Sequence, residues 1–190
     1  ILCTSGGKAI RFNEEEVRAM GRDATGVRGI RLGDGQVVIS LVAVNDGYIL
    51  TASENGYGKL TPLDDFPLHG RGGQGVIALQ TTERNGATVA ALQVVPEQEL
   101  MLISSAGTLV RTPVSEISVV GRNTQGVRLI RLDDGEHLAG VERIDILPDA
   151  ELTDGSAASG DVVADDAVAA SSGAASGEAP PDGSDAAPTH

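Results

Sequence analysis

Gly121-Arg122-Asn123-Thr124-Gln125-Gly126-Val127-Arg128-Leu129-Ile130-Arg131-Leu132 opens as a tight turn between two glycines and runs on into a Val/Ile/Leu-rich strand pattern. The same Gly-Arg-x-x-x-Gly-Val motif stands at Gly21-Arg22…Gly26-Val27 and at Gly70-Arg71…Gly75-Val76. Copies beginning at 21, 70 and 121 are 49 and 51 residues apart. Such a period marks one supersecondary unit used several times, in which no unit buries its apolar face alone. Function is then sought on a surface shared by stacked units rather than in a single pocket.

Outward from the motif, the three copies keep one order of parts. An apolar run meets a glycine-containing turn (Gly6-Gly7, Asn55-Gly56, Ala106-Gly107) and a second apolar run follows. A loop leads to the Gly-Arg turn, then come a strand, a polar turn (Asp34-Gly35, Asn85-Gly86, Asp134-Gly135) and a final strand. Asn-Gly and Asp-Gly supply the positive φ angles that short hairpins require. The pattern predicts an all-β array of propeller-like, four-stranded blades over 1–45, 46–95 and 96–147. The segments Glu14–Met20 and Leu63–His69 read as loops, the second because Pro67 interrupts it. The outer glycines of each motif are expected at positive φ or close-approach positions.

Hydrophobic residues make up 41% of the 190, but aromatics only 2% and Trp none, so the core must be aliphatic. Val and Ile favour strands. No apolar run is long enough to span a bilayer as a helix. The chain starts Ile1-Leu2-Cys3 inside a repeat with no leader pattern, which reads as a fragment of a longer protein. Cys3 is the one cysteine, read as a small strand residue in a reducing cytoplasm, and His69, His137 and His190 lack metal-ligand spacing. Of the net charge of −13, nine units come from Asp149 onward, where Lys and Arg are absent. Residues 148–190, rich in Ala, Ser, Gly and Asp, cannot bury enough surface to offset ordering entropy and are expected to be a disordered acidic tail.

Two chemical readings fail on context. Gly70-Arg71-Gly72-Gly73-Gln74-Gly75 fits G-x-G-x-x-G, yet Val76-Ile77-Ala78-Leu79 is a β-type run where a dinucleotide site needs a helix. The carboxylate pairs Asp64-Asp65 and Asp133-Asp134 sit in turn segments, with no nucleophile–base set beside them. What remains is basic residues in register. Arg22, Arg71 and Arg122 match, as do Arg28 with Arg128, Arg31 with Arg131, and Arg11 with Arg111. Ile77, Gln80 and Leu60 replace the strand arginines in the middle copy, where Lys59 adjoins Leu60. Lys8 adds a further cation in the first copy. An arginine on a strand edge can simply satisfy carbonyls or oppose aggregation. A register of them on stacked units draws a basic track for a polyanion, and the shortage of aromatics favours duplex over single strands. Arg28 and Arg31, three apart, would face opposite sides of a regular strand, which would leave only one of each such pair on the track.

Three segments, SSAGTLVRTPVSEISVVGRNTQGVRLIRL (104–132), VRAMGRDATGVRGIRLGDG (17–35) and ILTASENGYGKLTPLDDFP (49–67), resemble the C-terminal domain of the DNA gyrase A subunit. The resemblance covers about residues 1–147. It implies a β-pinwheel whose neighbouring blades exchange strands and whose basic rim wraps duplex DNA, so that an ATP-dependent type II topoisomerase introduces negative supercoils. It also implies no catalytic residue and no cofactor in this chain. ATP and Mg2+ would belong to the partner, the DNA gyrase B subunit of an A2B2 assembly, in the bacterial cytoplasm at the nucleoid. By position, Arg22, Arg71, Arg122, Arg28, Arg128, Arg31, Arg131, Arg11, Arg111, Lys8 and Lys59 would face DNA. The glycine-rich box that the family uses for wrapping has no counterpart here. The alternatives are the related C-terminal domain of the topoisomerase IV A subunit, which selects substrates, and a protein-interaction propeller.

Overall fold

Strand exchange between repeats, which hydrogen-bonding partners far apart in sequence decide, organises this chain. The computed structural model describes residues 1–145, so the end of the third copy and the expected acidic tail, 148–190, lie outside the described residues. Its strands are β1 (Leu2–Thr4), β2 (Lys8–Ile10), β3 (Val38–Leu41), β4 (Tyr48–Ser53), β5 (Tyr57–Pro62), β6 (Val76–Ile77), β7 (Thr88–Val94), β8 (Glu99–Ser104), β9 (Leu109–Pro113), β10 (Val127–Arg128) and β11 (Leu138–Ile144). There is no α-helix among the described residues. Three sheets run in the orders β3-β1-β2-β6, β10-β5-β4-β7 and β11-β8-β9. Every pairing within them is antiparallel.

The middle and third units thus each keep three of their own strands and hand the short strand after the Gly-Arg turn to the unit before. β6 pairs with β2, and β10 pairs with β5. The expectation of four strands per copy holds for the middle and third copies. In the first, Val27–Leu32 forms no strand, because no preceding edge among the described residues offers it carbonyls and amides. The third sheet has three strands because no exchanged strand from a following copy pairs with β9 among the described residues.

The turns follow local chemistry. Gly7, Gly56 and Gly107, and later Gly35, Gly86 and Gly135, all have positive φ. The segments read as loops begin instead with one 3-10 turn each, at Glu14–Glu16 and Leu63–Asp65, with Val114–Glu116 as the third. Pro67 lies beyond the second turn and does not prevent it.

The core lies between sheets, as a repeat requires. Cys3, Ala9, Ile49, Leu63, Phe66 and Ala91 pack the first sheet on the second, while Leu50, Leu60, Leu100, Leu102, Val114 and Leu138 pack the second on the third. Consecutive residues Ile49 and Leu50 serve opposite clusters, so β4 is buried on both faces. Burial pushes the pKa of the Cys3 thiol up to about 12.

Candidate nucleic-acid interface

One edge of the array is inner and the other outer. β7 packs against both β3 and β11, so these last strands face one another across the seams. β6 and β10 form the opposite edge of their sheets, and the Gly-Arg turns sit beside them. Of the basic residues expected from register, Arg128 lies on β10 and Arg22, Arg71 and Arg122 lie in the Gly-Arg turns.

The second glycine of the motif is needed there for two reasons. Gly75 and Gly126 have φ of 67° and 78°. A Cβ on Gly75 would lie 2.3 Å from the Ala9 carbonyl oxygen, and one on Gly126 would lie 2.6 Å from that of Gly58. Gly26 shares the φ, at 84°, but meets nothing within 4 Å. The first glycines, Gly21, Gly70 and Gly121, show neither a positive φ nor a backbone close approach, contrary to the expectation for both outer glycines.

The arginine after the first glycine proves to be a tie between units. Arg71 Nη1 donates to the Arg28 carbonyl at 3.1 Å and its Nε to the Glu16 carbonyl at 3.1 Å. Arg122 Nη1 donates to the Ile77 carbonyl, also at 3.1 Å, and Ile77 is the register equivalent of Arg28. Arg22 has no such bond among the described residues and is exposed. Arg11 reaches forward and caps the second 3-10 turn through the Leu63 and Phe66 carbonyls at 3.3 and 3.2 Å. Arg111, its equivalent, pairs instead with Glu99 on the adjacent strand of its own sheet.

Lys59 corrects the sequence reading outright. It is 0% exposed, and its Nζ donates to the Gly121 carbonyl at 2.7 Å, to the Arg122 carbonyl, and to Thr124 Oγ1 at 3.0 Å. It anchors the third Gly-Arg turn from beneath and presents no charge to solvent. Desolvation, then the Arg122 charge, lowers its pKa to about 8, with Asp65 acting the other way.

Arg28, Arg31, Arg128 and Arg131 are exposed. Strand alternation does not separate the members of each pair, as it would on a regular strand. β10 ends at Arg128, and the first-copy segment is not a strand, so neither pair shares one. The middle copy's missing arginine is made good across the ladder. Lys8 stands opposite Ile77 at the first seam, and Tyr57 opposite Arg128 at the second, so each seam carries one cation at the same cross-strand pair. Arg84, which precedes the Asn85-Gly86 turn, is a further exposed cation that register could not reveal, since Gly33 and Asp133 hold its place in the other copies. Its Cζ lies 4.7 Å from the Tyr57 ring centroid.

No cluster of three or more His, Cys, Asp or Glu suited to a metal occurs among the described residues. The glycine-rich loop 70–75 enters the two-residue β6 rather than a helix, which does not fit a nucleotide phosphate site. No helix among the described residues is long and apolar enough to cross a membrane.

Strand-exchanged antiparallel blades stacked in sequence, with guanidinium groups on their outer edge, define a propeller-type repeat protein. A family model described as "DNA gyrase C-terminal domain, beta-propeller" matches residues 1–45, 47–96 and 98–145. The chain belongs to the DNA gyrase C-terminal domain family. It is 61% identical to the DNA gyrase A subunit of Pseudomonas aeruginosa over 145 residues, covering 76% of this chain and 16% of that protein. It is 53% identical to the Salmonella typhimurium counterpart over 165 residues, covering 85% of this chain and 19% of that protein. The chain therefore spans less than a fifth of the length of these relatives. A solved DNA gyrase A C-terminal domain superposes with a TM-score of 0.71 at 28% identity, over 76% of this chain and 50% of that one. A topoisomerase IV C-terminal domain gives 0.70 at 24% identity, over 76% and 46%, a likeness of fold.

Proposed function

We propose that this chain binds and bends duplex DNA along its outer edge, as the wrapping part of a DNA gyrase A subunit. The observation that carries this reading is the cation held at the same cross-strand pair of both seams, together with the exposure of Arg22, Arg28, Arg31 and Arg131. Backbone phosphates recur along a duplex, so cations repeated along an edge suit them, and such contacts position DNA without reading its bases. In this reading Arg71, Arg122, Arg11 and Lys59 shape the rim, while the exposed arginines and Lys8 meet the phosphates. Strand breakage and ATP hydrolysis with Mg2+ belong to other parts of an A2B2 assembly with the B subunit, working at the nucleoid in the bacterial cytoplasm. The chain would supply the curved DNA path that gives supercoiling its sign. Gyrase is preferred to topoisomerase IV because the identities of 53–61% are to gyrase proteins.

The test is duplex binding by the chain, followed by fluorescence anisotropy at several salt concentrations. With about five phosphate contacts, affinity should fall about 500-fold between roughly 50 and 200 mM salt. A flat salt response would remove the DNA reading. A protein-interaction propeller would show that flat response.

A further inference from the structure

We propose that Tyr57 sets Arg84 of the middle unit and Arg128 of the third into a two-guanidinium clamp that takes a single backbone phosphate of duplex DNA at the seam between these units. The inference rests on the DNA-binding reading above and adds one discrete contact to it.

Both cations converge on one phenol. Arg128 Nη2 donates to Tyr57 Oη at 2.9 Å, and its Cζ lies 5.4 Å from the ring centroid. The Arg84 Cζ lies 4.7 Å from the same centroid. Hydrogen bonding from Arg128 first, with Arg84 acting in the same direction, holds the phenol below its ordinary pKa. Tyr57 is only 7% exposed, whereas both arginines are exposed. The ring is a fixed platform with two charges on its solvent side.

The backbone that carries Arg84 is fastened to the same seam. Asn55 Nδ2, in the turn beside Tyr57, donates to the Arg84 carbonyl at 3.1 Å. Asn85 is 0% exposed, and its Nδ2 donates to the Gln125 carbonyl of the third Gly-Arg turn at 3.2 Å. Arg84 is therefore positioned by both units whose junction the clamp spans.

Two like charges on one ring repel, and cation–π attraction offsets that only in part. A carboxylate would ordinarily relieve it. Among the described residues the ion pairs are Arg111–Glu99 and Arg143–Asp145, and neither involves the clamp. An arginine has five N–H donors in a planar fork that matches phosphate oxygens, and Arg128 uses one of them on Tyr57. Exposed Arg131, three residues along from Arg128, supplies a cation for a neighbouring charge, as a polyanion requires. The clamp is single: at the first seam Lys8 takes the place of Tyr57, and Ile77 that of Arg128.

The experiment uses the full-length protein carrying this chain and a mixed-sequence duplex, with Kd measured against salt. Variants are Arg84→Ala, Arg128→Ala, the double substitution, and Tyr57→Phe, which keeps the ring and the net charge. One shared phosphate predicts that the double variant lowers the log–log salt slope by about 0.9, and two separate phosphates would lower it by about 1.8. Tyr57→Phe should weaken binding, and that effect should vanish when Arg128 is already Ala. A slope change near 1.8, an unchanged slope, or a Tyr57→Phe effect that persists without Arg128 would overturn the clamp. A further variant lacking residues 1–145 separates this failure from that of the underlying reading. If deletion leaves affinity and slope unaltered, duplex binding by this domain is itself refuted, and the clamp with it.

Discussion

One substitution made at three equivalent positions tests how the seams are built. Gly26→Ala, Gly75→Ala and Gly126→Ala each place an L side chain on a backbone with φ between 67° and 84°. That left-handed conformation costs about 1–2 kcal/mol wherever it occurs. The surroundings then separate the three. At Gly26 the new methyl enters open space, so the conformational cost stands alone. At Gly75 it would sit 2.3 Å from the Ala9 oxygen and 2.8 Å from the Ala9 carbonyl carbon, and these backbone atoms belong to β2, the strand that β6 pairs with. At Gly126 the Gly58 oxygen and carbon would lie at 2.6 and 2.9 Å, on β5 beneath β10. Restoring ordinary contact needs a shift of about 1 Å in a packed seam, and overpacking of this kind costs a further 1–3 kcal/mol or so. The expected losses are about 1–2 kcal/mol for Gly26→Ala and about 2–5 for the other two. Urea unfolding of the purified variants reads the totals, and hydrogen exchange at the β6 and β10 amides locates them. Exchange should quicken at β6 only for Gly75→Ala, and at β10 only for Gly126→Ala. Equal losses at all three sites would show that the motif glycine serves its turn alone, and that the close approach between units is not what requires it.

Arg71→Ala should destabilise the chain by about 1–2 kcal/mol through its lost carbonyl bonds to Glu16 and Arg28, and Arg122→Ala by about 1 through Ile77. Arg22→Ala should leave thermal stability unchanged, and equal losses for all three would refute the tie. Lys59 titrates in the fold at about 8, below its ordinary 10.5, so between those values the unfolded chain binds more protons. The cost of burying its charge is present in full below pH 8 and fades as pH rises towards 10.5. The stability of wild type minus that of Lys59→Met should therefore climb over this window, by at most about 1.4 kcal/mol per pH unit. A falling difference in parallel denaturation series would contradict the burial argument. Cys3, buried with its pKa held at about 12, should resist iodoacetamide at pH 8 until urea unfolds the first sheet, as mass spectrometry would show.

The hairpin turns were legible because their chemistry is local: an Asn-Gly or Asp-Gly pair carries its own reason for positive φ, and Gly35, Gly86 and Gly135 adopt it. Strand exchange was not legible from the residues themselves, because nothing in Val76-Ile77 says that its partner is Lys8-Ala9 rather than a strand of its own copy. The arginines show a subtler limit. Register identifies a demand that recurs at every seam, and that demand can come from the fold as readily as from a ligand. Arg71 and Arg122 recur because each seam has a carbonyl to satisfy. Lys59 and Arg84 have no counterparts, so repetition mistakes the first for its neighbour's charge and passes over the second. Yet Lys59 supports a turn from inside, and Arg84 stands exposed over Tyr57. A repeated guanidinium that finds its carbonyl is committed to holding units together. Those with no such bond among the described residues, Arg22, Arg28, Arg31 and Arg131 among them, would have donors left for an anion from solution. Affinity for a polyanion should therefore follow the untied arginines and stability the tied ones, although a single motif encodes both.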